Sequence, residues 1–404
     1  GVTKVLMVQA PHYGNFQPES LAALVASLAR GYGHVVAAAT SAGKNVLPRV
    51  AALLELGAEA DKVRKALHPE GVVTYIVDRN INYTNVCVAD CGFCAFYRRP
   101  KDGEGWTLSY EQIGAKIDEV KALGGVQILI QGGHNPYIPF EWYLELLRYI
   151  KKYHPIHIHG FSPSEVDFWS TLYRMDARDV IRELVKAGLD SIPGGGAEIL
   201  VDRVRKLLHC YHKATADQWL SVMREAHEQG LRTTATMMYG TVETDEERIE
   251  HMLRLRDLQD ETGGFTAFIA WSYQPEHTEL GGGEATGVDY LRTLAVARIV
   301  LDNVDNLQAS WVTQGGKVGQ LSLAFGANDM GSVMIEENVV RAAGASYCIE
   351  CRHQFRAEVR ELEQVDGELV ELQRKQSFKS GDAIEVRRFD GNGKPWIAGW
   401  TFGH

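Results

Sequence analysis

Cysteine is scarce in this chain. Of 404 residues only six are cysteine: Cys87, Cys91, Cys94, Cys210, Cys348 and Cys351. Three of them share one loop, which speaks against a disulfide framework and for a reducing, cytoplasmic setting. Long apolar runs are missing as well: nothing reads as a membrane span or a secretory leader. Positive charge is not in excess. The 42 Lys and Arg residues face 52 Asp and Glu, and a formal net charge of −10 argues against nucleic acid or an anionic membrane as a main partner. No internal repeat is evident. What remains is a hydrophobic share of 45% and a charged share of 23%, the balance of a globular chain with a sizeable core. The length allows two or three domains, or one (β/α) barrel with appendages.

Three grammars succeed one another along the chain. Residues 1–52 read as two short β–α units: strands at Lys4–Gln9 and His34–Ala39, helices at Ser20–Arg30 and Asn45–Leu54. Such a fragment cannot bury both faces of a sheet unaided. From Leu53 to Cys348 strands and helices alternate. A helix over Leu53–Leu67 precedes strands at Val72–Asp78 and Asn80–Val86. Further strands are expected at Val126–Gln131, Ile156–Phe161, Leu189–Ile192, Arg232–Met238, Phe265–Trp271 and Leu307–Trp311. Helices are expected at Ser109–Leu123, Phe140–Tyr153, Ala177–Ala187, Ala214–Gln229, Glu246–Asp260 and Asp289–Leu301. This alternation implies an α/β fold with a parallel sheet, closed or nearly closed into a barrel of TIM-barrel type. From Ile349 the pattern changes again: a charged run over Arg356–Lys375, then a hairpin within Ser380–Phe402 turning at Asp390-Gly391-Asn392-Gly393.

The chemistry centres on Asn82–Tyr97, where Cys87, Cys91 and Cys94 stand at CxxxCxxC spacing. Three thiolates so spaced can hold three corners of a cubane iron–sulfur cluster, and the fourth iron receives no ligand from this loop. An open iron suits the amino and carboxylate groups of S-adenosylmethionine (SAM), reductively cleaved there to a 5′-deoxyadenosyl radical. Phe93 would lie along the adenine. Zinc, or three unrelated thiols, is the bland alternative.

In a parallel barrel the reactive groups gather where strands end. Gln131-Gly132-Gly133 closes one strand, and bare glycine backbone there can accept the SAM ammonium; the alternative is turn punctuation. Ser162 and Glu165 follow the next strand and can meet SAM or its ribose, or else form a helix capping box. The stretch Asp190–Glu198 ends another strand and opens a helix, so Gly195, Gly196 and Glu198 are candidates to bind substrate. Tyr239, Gln274, Ser310 and Gln314 end later strands and complete that set. His134, His157 and His159 are weaker candidates, and His209-Cys210-Tyr211-His212 reads as a connection between helices. Cys348 and Cys351 with His353 offer three ligands where a closed zinc site needs four.

The cysteine loop and the strands and helices beyond it resemble the radical SAM enzymes of menaquinone and deazaflavin biosynthesis, above all those that close a ring in dehypoxanthinyl futalosine. The likeness lies in Thr74–Arg99 (TYIVDRNINYTNVCVADCGFCAFYRR), Gln127–Pro136 (QILIQGGHNP) and His157–Asp167 (HIHGFSPSEVD). It continues in Gly188–Leu200 (GLDSIPGGGAEIL), Thr233–Thr244 (TTATMMYGTVET), Trp271–Leu280 (WSYQPEHTEL) and Gln308–Gly319 (QASWVTQGGKVG). The resemblance implies a radical SAM barrel, a [4Fe–4S] cluster on Cys87, Cys91 and Cys94, SAM as co-substrate, and a reductant such as flavodoxin or ferredoxin. It further implies removal of the ribose C4′ hydrogen, attack of the carbon radical on the benzoate ring, and loss of an electron and a proton to restore aromaticity.

Both ends depart from that family. Gly43–Leu54 (GKNVLPRVAALL) resembles the start of an electron-transfer flavoprotein alpha subunit and carries over no flavin-binding residue. Cys348 and Cys351 with Val359–Leu372 resemble the tail of a superfamily-two helicase with half a zinc ribbon. Two other functions compete: an aminofutalosine synthase, which shares cluster and SAM, and an iron–sulfur electron carrier, which a missing fourth cysteine disfavours.

Overall fold

The computed structural model of the chain describes residues 18–29, 41–345, 360–365 and 368–373. Helices α1 (Pro18–Ala29) and α2 (Ser41–Leu67) come first and pack on each other. The two helices expected over Asn45–Leu67 are one, because Ala51 through Leu56 are all good helix formers and nothing at the junction stops the chain. The strands expected at Lys4–Gln9 and His34–Ala39 lie outside the described residues, as do Cys348, Cys351 and the hairpin expected within Ser380–Phe402.

Strands β1 (Thr74–Ile76) and β2 (Asp78–Asn82) lead into the cysteine loop. Then come α3 (Tyr110–Ala122), β3 (Gln127–Gln131), α4 (Phe140–Tyr153) and β4 (His157–Gly160). They are succeeded by α5 (Pro163–Tyr173), α6 (Ala177–Ala187), β5 (Ser191–Ile192), α7 (Asp202–Leu207) and α8 (Ala216–Glu228). Next are β6 (Arg232–Tyr239), α9 (Asp245–Thr262), β7 (Phe265–Ser272) and α10 (Gly287–Val300). β8 (Asn306–Gln308), α11 (Trp311–Gln314), α12 (Gly316–Ser322), β9 (Asp329–Ser332) and α13 (Val339–Ala342) complete this part. Within the charged run, β10 (Arg360–Val365) and β11 (Glu368–Gln373) pair antiparallel.

The first nine strands form one parallel sheet in the order β1-β9-β8-β7-β6-β5-β4-β3-β2. β1 and β2 are two halves of one strand, broken at Val77, that changes partner midway: β1 pairs with β9 and β2 with β3. Val77 O accepts from Val126 N (3.2 Å) and Ile76 O from Val333 N (3.0 Å), so both neighbours are held at the break. The sheet thereby closes on itself, and the expected barrel is the fold. Beyond β9 the chain seals the remaining edge of β2. Asn80 Nδ2 donates to Glu337 Oε2 (2.8 Å), and Asn338 Nδ2 to Asn82 Oδ1 (3.2 Å).

Local chemistry sets the helix starts. Capping boxes at Ser109/Gln112, Ser162/Glu165, Thr215/Gln218 and Thr244/Glu247 open α3, α5, α8 and α9. On α4 Tyr143, Leu146, Leu147 and Ile150, at i, i+3, i+4 and i+7, form a buried stripe, and Gly188, at φ +121°, ends α6. Along β3, half-buried Gln127, Leu129 and Gln131 alternate with buried Ile128 and Ile130, which places the two glutamines and Leu129 in the lumen. Three expectations need correction. The strand expected over Asn80–Val86 ends at Asn82, and only isolated bridges follow at Thr84 and Val86. The last expected strand stops at Gln308, and Trp311 already begins α11. No helix opens at Glu198: after three glycines it takes φ +42°, and α7 starts only at Asp202.

Candidate active site

The cysteine loop leaves β2 at the C-terminal end of the barrel and is tied at its base. Asn85 Oδ1 accepts from Trp106 N (2.8 Å), Asn85 O from Arg98 N (2.7 Å), and Arg98 O from Cys87 N (2.9 Å). Gly92 is stitched on both sides: its N–H donates to Leu208 O (3.1 Å), and its carbonyl accepts from Leu280 N (2.8 Å). Cys87, Cys91 and Cys94 are free thiols, and Cys87 Sγ accepts N–H bonds from Ala89 (3.4 Å) and His134 (3.2 Å). Burial pushes the Cys87 thiol up to about 11 and also raises Cys94, so these groups hold their protons until an electrophilic metal takes their place. Among the described residues no three His, Cys, Asp or Glu side chains close on one point as a mononuclear ion requires. A cubane asks for something else: three thiolates spread over separate corners, with N–H groups directed at sulfur. The loop's donor set fits that group.

Around the loop the structure gathers a buried charged cluster of which the sequence announced only Glu198. Lys213 Nζ lies 5.3 Å above the Phe93 ring and donates to Glu198 Oε1 at 2.7 Å. Arg205 approaches Glu198 Oε2 at 3.4 Å and spends its other donors on the carbonyls of Gly196, Ala197 and Ala214. Burial opposes charge on Lys213, but Glu198 and the neighbouring thiols of Cys91 and Cys210 hold its pKa well above the ordinary value. Cys210, read as part of a plain connection, is a buried fourth thiol that donates to Leu208 O (3.8 Å), and its proximity together with burial raises the Cys91 thiol.

Glu165 is saturated. Its Oε1 accepts from Tyr83 Oη (2.7 Å) and Gly132 N (3.0 Å), and its Oε2 from Ser162 N (2.6 Å) and Ser162 Oγ (2.7 Å). The Ser162/Glu165 pair thus forms the capping box and also fixes the end of β3. The glycines answer to packing. A Cβ on Gly132 would lie 2.4 Å from the Tyr83 ring, one on Gly133 2.3 Å from Val86 O, and one on Gly195 2.4 Å from Gln131 Nε2. Gly196 has φ +83° and packs on Ser164 Oγ and Lys213. Gln131, Gly132, Gly195, Gly196, Lys213, Phe93 and the thiols are therefore linked in one network of contacts, with Ser162, Glu165 and Glu198 buried behind it.

A second group lies at the ends of β7 and β8. Gln314 Nε2 donates to Ser272 Oγ (2.6 Å), and Gln274 Nε2 approaches the same oxygen at 3.3 Å. Ser310 Oγ meets Thr313 Oγ1 at 2.9 Å. Tyr239 stands apart: its ring lies under the Arg248 guanidinium (4.7 Å), on the helix side of β6. His134 stacks on Phe168 (4.8 Å) next to the loop, and burial lowers its pKa to about 3, so it is neutral.

Residues 81–255 match the Radical SAM superfamily, 262–364 the CofH/MqnC C-terminal region, and 1–86 an electron transfer flavoprotein domain. The fold is that of solved radical SAM proteins. It aligns with methylornithine synthase at a TM-score of 0.59 and 18% identity, covering 83% of this chain and 91% of that one. A maturase of the [FeFe]-hydrogenase aligns at 0.55 and 16%, covering 78% and 67%. Barrel and loop define a radical SAM enzyme, which works with a [4Fe–4S] cluster and SAM. The chain is 48% identical over 306 residues to the cyclic dehypoxanthine futalosine synthase of Streptomyces coelicolor, covering 74% of this chain and 76% of that protein. The like-named protein of Halalkalibacterium halodurans is 48% identical over 295 residues, covering 72% and 80%. A 5-amino-6-(D-ribitylamino)uracil–L-tyrosine 4-hydroxyphenyl transferase of Methanopyrus kandleri is 44% identical over 298 residues, covering 70% and 80%. The chain belongs to the cyclic dehypoxanthine futalosine synthase family of radical SAM enzymes.

Proposed function

We propose that this enzyme cyclises dehypoxanthinyl futalosine on the route to menaquinone, removing the ribose C4′ hydrogen and joining C4′ to the benzoate ring. The observation that carries this reading is the loop of three free thiols at the barrel mouth, in a chain 48% identical over 306 residues to a cyclic dehypoxanthine futalosine synthase. Cys87, Cys91 and Cys94 hold the cluster. When bound, cluster and SAM together supply the 5′-deoxyadenosyl radical. Gln131, Gly132 and Gly133 receive the SAM amino group, and Phe93 lies along the adenine. Ser162 and Glu165 act from behind, fixing the Gly132 backbone toward the cofactor. The Lys213 ammonium, buried beside Phe93 and Cys91, is the cation that faces the SAM carboxylate. Gly195, Gly196 and Glu198 hold the substrate from one side; Gln274, Ser310 and Gln314 hold it from the other. Tyr239 supports β6 from behind. The catalytic unit spans residues 53–348, with 1–52 and 349–404 as flanks. The reductant is of flavodoxin or ferredoxin type, and the setting is cytoplasmic. Among the described residues no helix is long and apolar enough to cross a membrane.

The test is anaerobic reconstitution with dithionite, SAM and dehypoxanthinyl futalosine. The expected products are 5′-deoxyadenosine and a compound two hydrogens lighter than the substrate. Turnover of L-tyrosine with 5-amino-6-(D-ribitylamino)uracil instead would move the chain to the transferases. Because Cys210 is a buried fourth thiol close to Cys91, the variants Cys91→Ala and Cys210→Ala are the sharpest pair. The first loses cluster and SAM cleavage; the second keeps both. Loss of the cluster in Cys210→Ala would overturn the three-thiol assignment.

A further inference from the structure

Below the mouth, the barrel lumen holds a polar column that neither cofactor nor substrate binding uses. His157 Nε2 lies 2.9 Å from Ser191 Oγ, and His159 Nδ1 lies 2.7 Å from the same oxygen. On its other side His159 Nε2 meets Thr234 Oγ1 at 3.5 Å. Thr234 Oγ1 also accepts from Gly194 N (3.1 Å), and Thr236 Oγ1 donates to Gly194 O (2.6 Å). The column therefore ends at Gly194, in the loop whose next two residues are proposed to hold substrate. Its other end, His157, is exposed at the start of β4.

The members share one property: each can give a proton and take one. Ser191 Oγ carries a single hydrogen, so it donates to one imidazole while accepting from the other. Burial lowers His159 to about 3 and lowers His157 as well, so each neutral ring keeps one N–H and one lone pair. Protonated rings would be donors only and would block the line. Thr234 can donate to His159, His159 to Ser191, Ser191 to His157, and His157 to water. After one passage the hydroxyls and rings turn over, and the line is ready again.

We propose that Thr234, His159, Ser191 and His157 form a proton path that carries the aryl proton released on ring closure to solvent at the barrel's far end. This rests on the cyclisation reading above. Ring closure forms one carbon–carbon bond and removes two hydrogens. The C4′ hydrogen leaves as an atom and ends in 5′-deoxyadenosine. The aryl hydrogen leaves as a proton to Thr234 Oγ1 as that hydroxyl passes its own proton to His159 Nε2, and its electron goes to a one-electron acceptor of the iron–sulfur or flavin class.

Ser191→Ala breaks the column at its narrowest link with the loss of one oxygen, and Ser191→Thr keeps the hydroxyl. The assay uses reconstituted enzyme with SAM and dehypoxanthinyl futalosine, in H2O and in D2O, and reads cyclised product per 5′-deoxyadenosine. In Ser191→Ala, 5′-deoxyadenosine formation is expected to persist while that ratio falls about tenfold and the solvent isotope effect on product rises. Ser191→Thr is expected to restore both. An unchanged ratio and isotope effect in Ser191→Ala would overturn the path, as would both variants losing both products in step, the mark of a structural serine. If wild-type enzyme yields no product two hydrogens lighter, the cyclisation reading fails instead, which keeps the two failures apart.

Discussion

Gly133 joins the end of β3 to the cysteine loop, and adding one methyl group there tests how tightly the loop is set. The new Cβ in Gly133→Ala would lie 2.3 Å from Val86 O, 2.8 Å from Val86 C and 2.9 Å from Cys87 Cβ. Two of these are backbone atoms, which cannot swing aside as the tip of a long side chain can. Ordinary carbon contact begins near about 3.5 Å, so the loop must retreat by about 1 Å. The two segments are laced together by Gly133 N to Thr84 O (3.1 Å), Val88 N to His134 O (3.0 Å) and His134 N to Cys87 Sγ (3.2 Å). The displacement therefore reaches the thiol. A misplacement of about 1 Å lowers turnover by roughly 100-fold, and overpacking of this kind destabilises by about 1–3 kcal/mol. The assay is iron and sulfide per chain after anaerobic reconstitution, then the rate of 5′-deoxyadenosine release with SAM and dithionite. Gly103→Ala is the comparator, since its Cβ would meet nothing within 4 Å. It should load and turn over like wild type. Full iron and an unaltered rate in Gly133→Ala, or equal losses in Gly103→Ala, would refute the reasoning.

Lys213→Met would leave buried Glu198 with Arg205 alone at 3.4 Å, and should destabilise by roughly 3–5 kcal/mol in urea unfolding. Adding Glu198→Gln should recover most of that loss; equal stability of Lys213→Met and wild type would show that the pair is not coupled. Asp78 is pushed up from 3.8 to about 6, first by burial and further by Asp329, against hydrogen bonds from Ser332 and Gln127. A carboxyl raised on folding favours the folded state below about pH 4 and loses that contribution as pH rises through about 6. Ionised Asp78 thus destabilises by roughly 3 kcal/mol at about pH 7. Asp78→Asn should raise the unfolding midpoint at about pH 7–8 and leave it unchanged below about pH 4; an equal shift at both would contradict the assignment.

What was legible in the sequence was set by local chemistry. Thiol spacing in Cys87–Cys94 has to match a cluster whatever the fold, and the stripe on Phe140–Tyr153 or the stop at Gly188 needs only neighbouring residues. What depends on distant partners was not. Strand β9, Asp329–Ser332, has one apolar side chain among four residues and becomes a strand because β1 and β8 flank it. Nothing near Val77 signals that its strand changes neighbours. Lys213 carries no motif and meets Glu198 from 15 residues away, and Cys210 meets Cys91 across more than a hundred. Tyr239 ends a strand as expected, yet strand alternation turns its ring toward Arg248 and the helices. Glu198 was expected at a helix start, but the glycines before it let the chain turn into the left-handed region instead.

The partner change at Val77 has a kinetic corollary. Thr74 pairs with Asp329, 255 positions downstream, so the ring cannot shut until nearly the whole catalytic region has left the ribosome. The segment carrying the three thiols hangs from the strand that makes this last join. A join of such sequence separation is among the slowest contacts to form, and a chain cut short of Asp329 leaves β1 without the neighbour that closes the ring.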